Sequence, residues 1–136
     1  MQLFDTVSRW FADIPAVRRA RNGRRVLVEK QAQLRVEGTE TTHIVLLRDM
    51  SISGACIRAD LRLSRGDVVW MEVDGEDRSF DFTASVVEVR PDKMGFFSDY
   101  GLRLVELSLP SARTLASFIS RRLAAAGTPS RDNISR

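Results

Sequence analysis

From Val26 onward the apolar residues of this chain fall on alternate positions, a two-residue period that suits strands and that no helix can bury. Val26, Val28, Ala32, Leu34 and Val36 share one parity, while Gln33, Arg35 and Glu37 share the other. Lys30 falls among the apolar set, which predicts a bulge near it. Further strands are expected at about 41–49, 54–60, 67–74, 78–90 and 100–107. Between them stand turn signals at Gly38-Thr39, Ser64 to Asp67 and 91–98. In the fourth strand Val69, Met71 and Val73 share a face and Trp70 takes the other. Asp74-Gly75 is a hairpin signal, with a loop expected to reach Asp77. Short strands at this spacing argue for a mainly β domain, an antiparallel barrel or sandwich.

Two helical patterns flank the strands. At 2–13, Leu3, Val7, Trp10, Phe11 and Ile14 recur three and four apart, and Pro15 ends the pattern. Such a helix packs on the domain, docks a partner or touches a membrane surface. The last is the weakest option, because its polar face carries Asp5, Asp13 and Arg9 and no basic stripe. Residues 16–25 hold five Arg around an Asn22-Gly23 turn signal and read as an exposed linker. After the last strand, Ser108 is the expected N-cap of a helix with Pro110 in its first turn. Leu115, Phe118, Ile119 and Leu123 form its apolar face. Arg121 and Arg122 are expected in its last turn, complementing the dipole, and Gly127 just past its end. The resulting division is a helix and linker at 1–18, a domain at 19–126, and a polar, disordered tail at 127–136.

Composition narrows the function. With 43% hydrophobic residues in 136, one core can form without a metal or disulfide. Cys56 is the sole cysteine and His43 the sole histidine, and nothing places them together as nucleophile and base. There is no phosphate-cradling glycine motif, and the carboxylates show no acid–base spacing. The chain is therefore expected not to be an enzyme and to need no cofactor or metal. No apolar run approaches the ~18 residues of a membrane span, and Asp5, Arg9 and Asp13 interrupt any leader-like core. A cytoplasmic location is the expectation. Of the 21 Lys+Arg, all but Lys30 and Lys93 are Arg, the side chain whose planar fork suits phosphates and guanine edges.

At the junction of the second and third strands stands Asp49-Met50-Ser51-Ile52-Ser53-Gly54. Read plainly it is a tight turn: Asp49 and Ser51 bond nearby backbone, and Gly54 permits close approach. Upstream, Arg21 and Arg25 make an RxxxR spacing immediately before the first strand. RxxxR by itself arises by chance in so Arg-rich a chain, whereas DxSxxG does so far less readily. In this order the two motifs resemble those of the PilZ domain, the bacterial receptor module for cyclic di-GMP. The resemblance covers about 19–107, including Tyr100-Gly101-Leu102-Arg103-Leu104 as the closing strand. The family often has Phe where this chain has Leu104, a change that keeps the site apolar.

The resemblance implies a six-stranded antiparallel β-barrel with a C-terminal helix. It also implies a ligand, cyclic di-GMP, held by Arg21, Arg25, Asp49, Ser51 and Gly54, with Arg24 and Arg19 as further phosphate contacts. The chemistry agrees. Guanidinium groups bond phosphate oxygens and guanine O6 and N7, and stack on purines. A carboxylate accepts from the guanine N1–H and N2–H₂ pair. Trp70 is a candidate stacking surface, with a barrel residue as its plain alternative. Ligand would order residues 16–25 and reposition the N-terminal helix against a protein partner of unnamed identity, in motility, biofilm or polysaccharide output. One rival is a small β-barrel binding nucleic acid through the Arg cluster, although it lacks interleaved aromatic platforms. Another is a scaffold of the same fold that binds only protein.

Overall fold

A computed structural model describes residues 25–127 of the chain. The expected helix at 2–13, the Arg linker before Arg25 and the tail after Gly127 lie outside these residues. Six strands follow in order: β1 (Val26–Val36), β2 (Thr42–Met50), β3 (Gly54–Ala59), β4 (Val68–Asp74), β5 (Ser79–Pro91) and β6 (Ser98–Glu106), then α1 (Leu109–Gly127). They close into an antiparallel barrel in the order β1-β2-β3-β6-β5-β4, with β4 pairing back on β1. The alternation in the sequence is the inside-outside alternation of this barrel. Val26, Val28, Ala32 and Leu34 are buried, as are Val69, Met71 and Val73. The expected bulge is present: the β1–β2 register slips between Leu27 and Lys30, and Glu29 takes φ 49°.

The β4–β5 hairpin departs from a simple Asp-Gly turn. Its loop runs through Arg78, and the positive φ, 82°, belongs to Glu76 rather than Gly75. The Asp74 carboxylate accepts from the Glu76 N–H at 2.9 Å and holds that conformation. Gly75 is needed for space instead, since a Cβ there would stand 2.6 Å from the Arg78 carbonyl oxygen.

Helix α1 is fastened to the barrel near both ends. Ser108 caps it as expected, its Oγ accepting from the Ser111 N–H at 3.3 Å. Ser111 is buried and donates its hydroxyl to the Asp81 carboxylate on β5 at 2.8 Å. The other oxygen of Asp81 accepts from the Trp70 indole N–H at 2.9 Å. Leu115, Phe118 and Ile119 are fully buried, with the Phe118 ring 5.6 Å from that of Phe80. The helix continues through Gly127, so Arg121 and Arg122 lie before its last turn and are not dipole partners. Their guanidiniums reach the barrel. Arg121 donates to the Gly75 carbonyl at 2.8 Å. Arg122 donates to the carbonyls of Leu27 and Val28 at 3.2 and 3.4 Å and pairs with Glu76 at 3.2 Å.

The bulge serves the same junction. It turns Lys30 so that its amine donates to the Asp74 carbonyl at 2.7 Å, with the Phe118 ring centroid 5.9 Å away. Arg122→Met keeps the stem against Phe118 and removes every polar contact. The expected result is a loss of about 1–2 kcal/mol, read as a lower urea midpoint with unchanged slope.

Candidate functional site

Arg25 precedes β1, and Asp49 stands near the end of β2, where Val26 pairs with Met50 and Leu27 with Asp49. The β2–β3 register slips between Leu47 and Asp49, which turns the Asp49 carboxylate outward while Met50 returns to the core. The Arg25 guanidinium donates to Asp49 Oδ1 at 3.0 Å, with the two side chains 48% and 31% exposed. Arg25 and Asp49, one from each motif, thus meet on the surface of the barrel. Arg21 and Arg24 lie outside the described residues.

Ser51 and Gly54 are placed by the turn between them. The Ser51 N–H donates to the Gly54 carbonyl at 2.8 Å. Ser51 Oγ accepts from the N–H groups of Ser53 and Gly54 at 3.3 and 3.2 Å, and its side chain is buried. Its lone pairs therefore serve the turn, with Ser53 Oγ 3.4 Å away. Gly54 is glycine for a reason internal to the fold. An added Cβ would stand 2.8 Å from the Leu102 carbonyl oxygen on β6 and 3.5 Å from an Arg25 guanidinium nitrogen.

The outer face beside this corner carries charges that the motifs do not mark. On β3 and β6, Cys56 pairs with Gly101 and Arg58 with Asp99. Arg58 grips Asp99 with two bonds of 2.8 and 3.1 Å, and Arg48 reaches both Asp99 and Glu29 at 3.5 Å. The hydrogen bond from Arg58 holds the Asp99 carboxyl below its usual range and raises Arg58 in turn. Arg90 pairs with Glu88 at 3.6 Å and lies 3.8 Å from the Cys56 sulfur. Burial, then the charges of Asp49 and Asp99, push the Cys56 thiol up, so it stays protonated near neutrality. Arg103 occupies the register position opposite Gly54. The polar parity of β3 and β6 hints that these residues face outward, but their neighbours come from strand pairings the sequence does not display.

Trp70 belongs elsewhere. It pairs with Arg35, near the opposite end of β1 from Leu27, and the Arg35 guanidinium covers its ring at 4.4 Å. Of the two readings of Trp70, these contacts favour the barrel residue. His43 is half-buried opposite Leu34, and no group of three or more His, Cys, Asp or Glu among the described residues is placed to hold a metal.

Gly54→Ala must push β6 away from the turn. It is expected to cost about 1–3 kcal/mol in chemical denaturation. For Asp99 the sign follows from its lowered folded pKa against an ordinary value of 3.8. The stability it adds is complete above that value and is lost as pH falls through the folded pKa. Wild type is expected to exceed Asp99→Asn in denaturant midpoint at pH ~7, with the difference shrinking below pH ~4.

Among curated proteins, none matches the chain. Among solved structures, the inhibitor of motility MotI/DgrA of Bacillus subtilis superposes with a TM-score of 0.64 at 16% identity, covering 76% of this chain. The match spans 51% of that protein, so this chain corresponds to about half of it. The PilZ domain of YcgR from Escherichia coli, solved with c-di-GMP, gives a TM-score of 0.60 at 17% identity, covering 83% of this chain and 95% of that one. PlzA of Borreliella burgdorferi, in complex with c-di-GMP, gives 0.53 at 8% identity, covering 88% of this chain and 58% of that one. At these identities the likeness is one of fold. The family model of the PilZ domain matches residues 18–121, most of the chain: the chain belongs to the PilZ domain family.

Proposed function

We propose that this chain is a receptor for cyclic di-GMP, without enzymatic activity, that binds its ligand on the outer face of the barrel around Asp49. The observation that carries this reading is the exposed contact of Arg25 with Asp49 at 3.0 Å, which brings one residue of each motif together on the barrel surface. An exposed pair of this kind contributes at most about 1 kcal/mol, so a ligand displaces it at little cost. A phosphate offers the Arg25 fork a bidentate partner. The N1–H and N2–H₂ edge of guanine offers the freed carboxylate two donors. Arg21 and Arg24 add phosphate contacts, and Arg103, at the register position opposite Gly54, adds another.

The solved complexes of the YcgR domain and PlzA with c-di-GMP support the same ligand. Ordering of residues 16–25 over the ligand changes the surface offered to a protein partner, with a motility, biofilm or polysaccharide output. The nucleic-acid reading is disfavoured by the lack of interleaved aromatic platforms on the strands.

Isothermal titration of the full chain with cyclic di-GMP tests the proposal. Arg25→Ala and Asp49→Ala are each expected to weaken binding by about 10- to 100-fold, the loss of one charge-assisted hydrogen-bonding group. Absence of binding by the wild type overturns it. So does binding by both variants as tight as that of the wild type.

A further inference from the structure

The molecule carries a second basic concavity that shares no residue with the Asp49 face. It is a cleft of about 550 Å³ between the β4–β5 hairpin and the outer side of α1. Arg78, Arg113 and Arg121 line it, with Thr114 and Ser117 between them and Asp77 at its rim. Arg121 is fully engaged: besides the Gly75 carbonyl, it bonds Asp77 at 3.2 Å and Ser117 Oγ at 3.0 Å. Ser117 accepts in that bond, so its own hydroxyl hydrogen is free to donate. Arg78 and Arg113 are exposed, and neither side chain has a hydrogen-bond or ion-pair partner among the described residues. The single carboxylate of the cleft is thus already shared with Arg121, and two guanidiniums are left without a counter-charge.

The dimensions say what kind of anion fits. Arg113, Ser117 and Arg121 are four apart and fall in line along one side of α1. From first to last they span eight residues, about 12 Å of helix axis. A single phosphate fills only a small part of a cleft of about 550 Å³ along this row. An extended peptide covers it in about four residues at ~3.3 Å each, with side chains alternating toward the cleft. None of the residues lining the cleft is aromatic, so a nucleotide base finds no stacking surface.

We propose that this cleft docks an acidic segment of a protein partner, an extended run of about four residues bearing Asp or Glu. Its carboxylates pair with Arg78 and Arg113, and the Ser117 hydroxyl donates to the segment as it runs on along α1. The site is independent of the ligand face, so the two stand or fall separately.

Fluorescence anisotropy with the full chain and a labelled peptide of alternating glutamate and serine tests it. The double variant Arg78→Glu/Arg113→Glu is expected to weaken binding by about ten-fold or more, and Arg25→Glu by less than about two-fold. The matching glutamine–serine peptide is expected not to bind. Cyclic di-GMP titration of the double variant is expected to match wild type. If charge reversal unfolds the protein, Arg78→Gln/Arg113→Gln must still show the selective loss. Peptide binding that survives these substitutions overturns the proposal. Equal loss with Arg25→Glu also does so, as does displacement by inorganic phosphate at matched charge.

Discussion

The outward residues of the six strands take their positions from closure of the sheet. A barrel has no free edge, so each strand is paired on both sides and its outward residues are fixed against two neighbours. Two of the pairings join strands distant in sequence, β3 with β6 and β1 with β4. The first sets the Leu102 carbonyl against Gly54 and Asp99 against Arg58. The second brings the first strand round to the hairpin on which the helix rests. A glycine at position 54 is therefore a condition of closure before it is a feature of any ligand site.

The segment leading into the barrel is tied mechanically to the helix leaving it. Arg25 touches Asp49, and two residues later the Leu27 carbonyl accepts from Arg122. The same guanidinium covers the Phe118 ring at 4.9 Å and pairs with Glu76. Strand start, hairpin and helix thus meet in one cluster, where the bulge at Glu29 and Lys30 supplies the last contact, to Asp74. Buried aromatic area holds this junction together, and the cations over Phe118 satisfy backbone carbonyls while screening the ring from water.

The strands were legible in the amino-acid order because half-burial imposes a two-residue period on composition. Lys30 announced its bulge for the same reason: a charge on the buried parity forces a slip. The cap at Ser108 and the turn at Ser51 to Gly54 were legible because their bonds join residues three apart. Other features were not. Asp74-Gly75 pointed to the hairpin but not to its geometry, since the Asp74 side chain selects Glu76 for the positive φ and the Arg78 carbonyl leaves room only for glycine at 75. Arg121 and Arg122 looked like dipole partners, whereas long side chains go to whatever carbonyls the neighbouring hairpin and strand present.

By itself the order of residues determined the strand parities, the local turns, the helix cap and the two motifs of the arginine arm and the acidic corner. All of these depend on interactions between near neighbours in the chain. Only the tertiary structure decided which outward residues meet: Arg25 with Asp49, Arg58 and Arg48 with Asp99, Arg35 over Trp70, and the basic cleft between hairpin and helix. Those contacts join residues far apart in sequence, and their geometry follows from the register and closure of the barrel, which no local pattern encodes.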